Sequence, residues 1–330
     1  MNFNTFMLSF TFFTIDNHKV LSHFFSIKPL PYVLLFVIFI VGCTGKQNTS
    51  TEQMPKEKYT LAMIQMLVDA GDLQANLDRA TSRIAEAAAN GAAIALLPEA
   101  MDLGWTDPSA RDLAFEIPDG KTCMALRNAA QKNNIYICAG IIEKEGDKIY
   151  NAAIIIDPSG FVILKHRKIN ELDIAHDLYS LGDRLNVVNT PIGTLGLYIC
   201  ADATAPGNAL SNSLGLLGAD IILSPCAWAV PPDFDNEATP YGDTWRNVYE
   251  PASSMYEIWI VGVSNVGKIK AGPWKNWDCI GSSLVYAPDG SEVLQAPYGA
   301  NADTIIYVDI TLIERPAWGT RWNEHWSSKE

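Results

Sequence analysis

Along the chain the spacing of apolar residues changes period several times, and each change marks an element. "YTLAMIQM" at residues 59–66 is a short apolar-rich run that predicts a strand. The segment "DLQANLDRATSRIAEAAANGA" that follows sets Leu73, Leu77, Ala80, Ile84 and Ala87 on one helical face, and Asn90-Gly91 supplies its stop. "AIALLPE" at 93–99 is a continuous apolar run of the kind buried on both faces of a sheet. Together these three segments predict a strand-helix-strand unit.

The same alternation continues. A helix is expected at about 121–133, then strands at "IYICAGIIE", "IYNAAIIID" and "FVILKHR", with "DPSG" at 157–160 as a tight turn and "APDG" at 287–290 as its echo. "LNVVNT" and "GTLGLYIC" read as a strand pair, "PGNALSNSLGLLGA" as a helix and "DIILSPCAW" as a strand. After an irregular stretch to Asp243, "TWRNVYEPASSMYE" predicts a helix despite Pro251, and "IWIVGVSN" another strand. Strands and helices alternate through one α/β domain, residues 59–311. The Trp-rich tail, residues 312–330, is expected to pack on the domain or on a partner.

The N-terminus has a different pattern. "LPYVLLFVIFIVGC" is an apolar run of about thirteen residues, short of the roughly twenty that a bilayer span takes, with polar "TGKQNTSTEQMPKEK" after it. Its ending resembles the lipobox of bacterial lipoproteins. That resemblance implies a signal peptide at residues 1–42, lipidation of Cys43 and a polar tether over 43–58, with a retained membrane helix as the alternative. The protein would then sit in the bacterial cell envelope; Thr44 in place of Asp favours the outer membrane.

Composition narrows the class. The 330 residues are 48% apolar and 18% charged, which suits a chain with a large core. A formal charge of -13 with no clustered Lys and Arg argues against a nucleic-acid partner. Besides Cys43 there are cysteines at 123, 138, 200, 226 and 279, an odd number that leaves at least one thiol unpaired unless chains are bridged. No C-x-x-C or Cys/His spacing suggests zinc, so neither metal nor cofactor is expected.

Several chemistries drop out. "GVSNVGKI" at 262–269 has the glycine and lysine spacing of a phosphate loop, but Ile269 stands where Ser or Thr must reach magnesium. G-x-S-x-G and H-E-x-x-H do not occur, and the one His after Cys200 is His325 in the tail, which disfavours a papain-like pair. What remains is three polar residues at apolar strand ends: Glu99 after "IALLP", Lys168 after "FVILKHR" and Cys200 after "LGLYI". Taken singly, the first two fit solvated charges and the third core filler. Taken together, a carboxylate can accept a thiol proton and an ammonium can hold the oxyanion formed when the thiolate attacks a carbonyl or nitrile carbon.

"LLPEAMDLGW", "KHRKINEL" and "GLYICADATAPG" resemble, in order and separation, the three signature segments of the nitrilase superfamily of carbon-nitrogen hydrolases. The resemblance implies a four-layer α-β-β-α sandwich and a homodimer or higher homo-oligomer. Glu99, Lys168 and Cys200 would be catalytic, with Ala201 supplying a backbone N–H. It also implies that Glu143, in "GIIEKEGDKIYNAAIIIDPSG", helps to position lysine and substrate. Trp228, in "SPCAW", is a candidate pocket wall with Trp274 and Trp277. Ala201, Thr204, Ala205 and Gly207 depart from the family pattern around the cysteine, and Ala201-Asp202 leans toward the amidase branches. The expected function is hydrolysis of a non-peptide C–N bond of a small amide or carbamoyl compound through a Cys thioester. A nitrilase or acyltransferase with the same three residues, or an inactive binding scaffold, are the alternatives.

Overall fold

The computed structural model describes residues 58–314. The expected leader, the lipidation residue Cys43, nearly all of the tether and the tail beyond Glu314 lie outside the described residues. Numbered in chain order, the first sheet contains β1 (Lys58–Gln65), β2 (Ala92–Leu96), β3 (Tyr136–Glu145), β4 (Lys148–Ile156), β5 (Val162–Arg167) and, returning last, β15 (Thr304–Thr311). The second contains β6 (Val187–Thr190), β7 (Gly193–Leu197), β8 (Ile221–Cys226), β10 (Trp259–Ser264), β13 (Leu284–Tyr286) and β14 (Glu292–Gln295). A small third sheet joins β9 (Ala229–Val230), β11 (Val266–Lys268) and β12 (Asp278–Ile280). The helices are α1 (Leu73–Ala89), α2 (Ala110–Leu113), α3 (Lys121–Asn133), α4 (Ala209–Leu216) and α5 (Asp243–Tyr256).

The period of two along each strand builds the layers. In β1, Leu61 and Met63 face the second sheet, while Ala62 and Ile64 join the core under the helices; β2 and the residue after it divide likewise between Ile94/Leu96 and Ala95/Leu97. Leu77, Ala80 and Ile84 of α1 and Leu126 and Ala130 of α3 cover that outer face. On the far side Leu214 of α4 and Tyr249, Ala252 and Tyr256 of α5 pack on the second sheet. The result is the four-layer α-β-β-α sandwich, and the runs buried on both faces are continuous in apolar character because each strand faces two cores.

Both sheets are mixed. The first runs β15-β1-β2-β3-β4-β5 with β1, β2 and β3 parallel; the second runs β14-β13-β10-β8-β7-β6 with β7, β8 and β10 parallel. β11 to β15 are not announced by the sequence pattern, being short or weakly alternating, yet β15 pairs with β1 from Lys58↔Thr311 to Gln65↔Thr304. The helix expected over residues 206–219 is shorter. Gly207 and Asn208 take left-handed angles, φ 67° and 53°, so the helix begins only at Ala209. All five cysteines among the described residues are free and buried.

The sheets meet in close contact at Gly140 of β3. A Cβ there would lie 2.5 Å from Glu99 Cα and 3.0 Å from Pro225 Cβ on β8, so only glycine lets this strand, the Pro98-Glu99 corner and the second sheet touch. Glu99 N–H also donates to Cys226 C=O at 3.1 Å, fixing the corner to β8. Gly140→Ala is therefore expected to lose about 1–3 kcal/mol of stability by overpacking, read by denaturant unfolding; an unchanged midpoint contradicts the close contact.

Candidate active site

Three chain corners deliver the three strand-end residues to one place. β2 ends at Leu96, and Pro98 turns the chain so that Glu99 leaves the sheet. β5 ends at Arg167, and Lys168 follows with its N–H donated to Asn151 C=O at 2.8 Å. β7 ends at Leu197, and Cys200 opens a 3₁₀ turn, Cys200–Thr204, with φ 45°. A left-handed angle at a non-glycine residue costs on the order of 1–3 kcal/mol and persists where its surroundings enforce it.

Asp202 supplies that enforcement. Its Oδ1 accepts from the Ile169 and Asn170 N–H groups at 3.0 and 2.7 Å, and its Oδ2 accepts from Ile199 N–H at 2.9 Å and pairs with His166 Nε2 at 2.8 Å. Burial alone would raise its pKa, but His166 and the backbone donors hold it below the usual carboxylate range. Asn170 Nδ2 adds a bond to Ala201 C=O at 2.6 Å, so the lysine corner and the cysteine corner are locked together.

Lys168 Nζ lies 2.8 Å from Glu99 Oε1 and 3.0 Å from Glu171 Oε1. Asn151 Nδ2 donates to the same Glu99 oxygen at 2.7 Å and to Glu171 Oε2 at 2.8 Å, tying the carboxylates into one cluster. Glu99 is 1% exposed and Lys168 2%, so these charges are out of water. Burial raises the Glu99 pKa, which Lys168 lowers and Glu171 raises again, for a net upward shift. Burial works to lower the Lys168 pKa, but the two carboxylates more than offset it and the ammonium stays charged. The Cys200 thiol is pushed well above its ordinary value by burial, then by the neighbouring Cys226 side chain and Glu99, against Lys168. The resting state is a thiol beside a carboxylate whose own proton affinity is enhanced.

Glu99, Lys168, Cys200, Ala201 and Trp228 all line one cavity of about 210 Å³. Trp274 lines it too; Trp277 stacks behind Trp274 at 4.5 Å and does not reach the cavity. Glu143 is a correction. Its buried carboxylate accepts from Lys165 Nζ at 2.7 Å and from Arg167 Nε and Nη2 at 2.7 and 2.8 Å, away from Lys168. Strand parity is the reason: Lys165 and Arg167 share the face of β5 that Glu143 meets, whereas His166 and Lys168 point the other way. The second carboxylate at the lysine is Glu171, three residues beyond it within the quoted "KHRKINEL". Asn151, Trp105, Tyr241 and Trp245 belong to the site as well, beyond the residues to which the sequence points; the signal for Asn151 is an amide inside an otherwise apolar strand. Among the described residues no group of three or more His, Cys, Asp or Glu side chains is arranged to hold a metal ion.

The carbon-nitrogen hydrolase family profile matches residues 60–319. A nitrilase of Pyrococcus abyssi is 28% identical over 257 residues, covering 77% of this chain and 90% of that one. An omega-amidase of Mus musculus is 28% identical over 264 residues, covering 77% and 89%. Among solved structures, Saccharomyces cerevisiae Nit3, a member of branch 10 of the nitrilase superfamily, superposes with a TM-score of 0.66 at 25% identity over 77% of this chain and 90% of that one. With the sandwich, the cavity and these likenesses in place, the chain belongs to the carbon-nitrogen hydrolase family and is an enzyme that hydrolyses carbon-nitrogen bonds.

Proposed function

We propose that the protein is an amidase that cleaves a non-peptide C–N bond through a Cys200 thioester. The observation that carries this reading is the convergence of a carboxylate, an ammonium and a thiol on one cavity, with Lys168 Nζ 2.8 Å from Glu99 Oε1. Glu99 takes the Cys200 proton as Sγ attacks the amide carbon. The oxyanion is met by Lys168 and by the Ala201 N–H, in the first turn of a helical segment where backbone donors lack an intrahelical partner. Glu99 returns the proton to the departing nitrogen, the C–N bond breaks and ammonia leaves. Water, deprotonated by Glu99, then attacks the thioester and frees the acid and the thiol. Glu171 and Asn151 position Lys168 and Glu99; neither exchanges a proton with the substrate. Ala201-Asp202 after the cysteine supports amide over nitrile hydrolysis.

As a separate proposal resting on sequence alone, Cys43 carries a lipid anchor to the cell envelope and the enzyme assembles as a homodimer or larger homo-oligomer. Labelled fatty acid is then incorporated by the full chain and not by Cys43→Ala; equal labelling of both contradicts the anchor.

Lys168→Ala is expected to lower kcat by at least about 100-fold, the typical cost of one oxyanion donor, and Cys200→Ala to abolish both turnover and the acyl adduct seen by intact-mass spectrometry. Full turnover of amides by Cys200→Ala contradicts the mechanism, and acid release from nitriles but not from matched amides contradicts the amidase assignment. Because the Glu99 pKa is raised and its ionised form is the base, activity is lost as pH falls through that raised value. The acid limb of kcat/KM should therefore lie above the ordinary carboxylate range; a limb within that range contradicts Glu99 as the base.

A further inference from the structure

The walls of the cavity above Cys200 differ in kind from its floor. Charge is confined to the floor, where Lys168 Nζ is already bonded to Glu99 and Glu171 at 2.8 and 3.0 Å. Among the described residues that line the cavity there is no second Lys, Arg or His. The walls are aromatic rings backed by further rings. Trp228 stacks on Trp245 at 4.7 Å and 22°, and Trp274 stacks on Trp277 at 4.5 Å and 6°. Trp105 leans against Trp274 at 4.8 Å. Pairing of this kind holds each exposed ring face at a fixed angle. The rest of the lining is small or aliphatic, Ala201, Ala227, Ala229, Thr204, Thr244 and Leu172, which leaves depth for a flat group. At about 210 Å³ the space exceeds the roughly 150 Å³ apolar cavity that takes up benzene.

Resting on the amidase reading above, the geometry points to neutral aryl or arylalkyl amides as the substrate class, the ring seated against the tryptophan walls and the carboxamide over Cys200. Three acyl chemistries compete for such a cavity, and charge separates them. An acyl group with a second carboxylate gives up its hydration and finds no free cation. It also faces a floor where two carboxylates share one ammonium, so it is repelled. A quaternary ammonium would also meet ring faces, but it gives up its hydration in a cavity that already holds the Lys168 ammonium, a cost that a neutral ring does not carry. A short aliphatic amide fits but leaves most of the aromatic wall unused. The side of the cavity away from the thiol thus selects the acyl group, and the charged floor performs the chemistry on whatever is seated there.

Binding and turnover test these two layers separately. Isothermal titration of Cys200→Ala with phenylacetamide, succinamate, trimethylammonioacetamide and acetamide reads the walls alone, because this variant keeps the cavity and removes the nucleophile. Phenylacetamide should bind more tightly than succinamate by about 100-fold and more tightly than acetamide by about 10-fold or more, the range expected for burying one aromatic side group without charge. Binding of succinamate or trimethylammonioacetamide that equals or exceeds that of phenylacetamide overturns the substrate class, as does undetectable phenylacetamide binding. Wild-type enzyme is then incubated with phenylacetamide and its mass followed. If the binding order holds and no acyl adduct or ammonia appears, the amidase reading fails while the assignment of the walls stands.

Discussion

A single buried ammonium holding two carboxylates beneath a thiol is the interaction on which this molecule's chemistry depends. Taking any of these groups out of water is costly, and removing one partner of such a cluster leaves an unpaired buried charge worth about 3–5 kcal/mol of destabilisation. Lys168 makes the arrangement tolerable by meeting Glu99 and Glu171 together, and Asn151 spans the same two carboxylates. One ammonium against two carboxylates leaves surplus negative charge, and burial magnifies its effect. Glu99 and Cys200 both hold protons more tightly than they would in water. The sulfur keeps its proton until a carbonyl carbon is at hand, and Glu99 is a strong enough base to take it then.

The fold exists around that cluster in a literal sense. Glu99 comes from the first sheet but has its backbone bonded to β8 of the second, and Gly140 lets the two sheets close to the distance this requires. Lys168 and Cys200 come from different sheets and are joined by Asp202, which bonds to both corners and to His166. The left-handed angle at Cys200 is sustained by this latch. Most of the aromatic wall comes from later in the chain: Trp228 follows β8, Tyr241 precedes α5, Trp245 lies in its first turn and Trp274 precedes β12, while Trp105 comes from the Glu99 corner and sets its ring 5.9 Å from Lys168 Nζ. Chemistry and most of the substrate wall are thereby carried by separate segments, with Trp105 shared between them.

Much of this was legible in the sequence because the central strands are long, apolar and bounded by Gly or Pro. Leu73, Leu77, Ala80 and Ile84 give α1 directly, and polar residues at the ends of buried strands mark Glu99, Lys168 and Cys200. The strands after Asn265 were not legible, since their stability comes from pairing with distant partners such as β1 and not from their own pattern. Glu143 and Glu171 show the limit most plainly. Glu171 follows Lys168 closely in the same corner, whereas Glu143 lies well upstream on β3, and the parity of β5 turns Lys165 and Arg167 toward it and Lys168 away. The walls were legible in part: Trp228 and Trp274 line the cavity as expected, but Trp277 stands behind Trp274, and Trp105 and Tyr241 gave no signal, because an aromatic residue in an irregular stretch carries no period that says which way it faces.

The charge coupling between Glu99 and Cys200 is most directly tested by the pH dependence of alkylation of Cys200 with iodoacetamide, the modified thiol identified by peptide mass, in wild type and in Glu99→Gln. The account predicts that the wild-type thiol titrates above the ordinary cysteine range and that Glu99→Gln, by removing a neighbouring negative charge, moves the titration to lower pH. A titration that stays in place or rises in Glu99→Gln would contradict it.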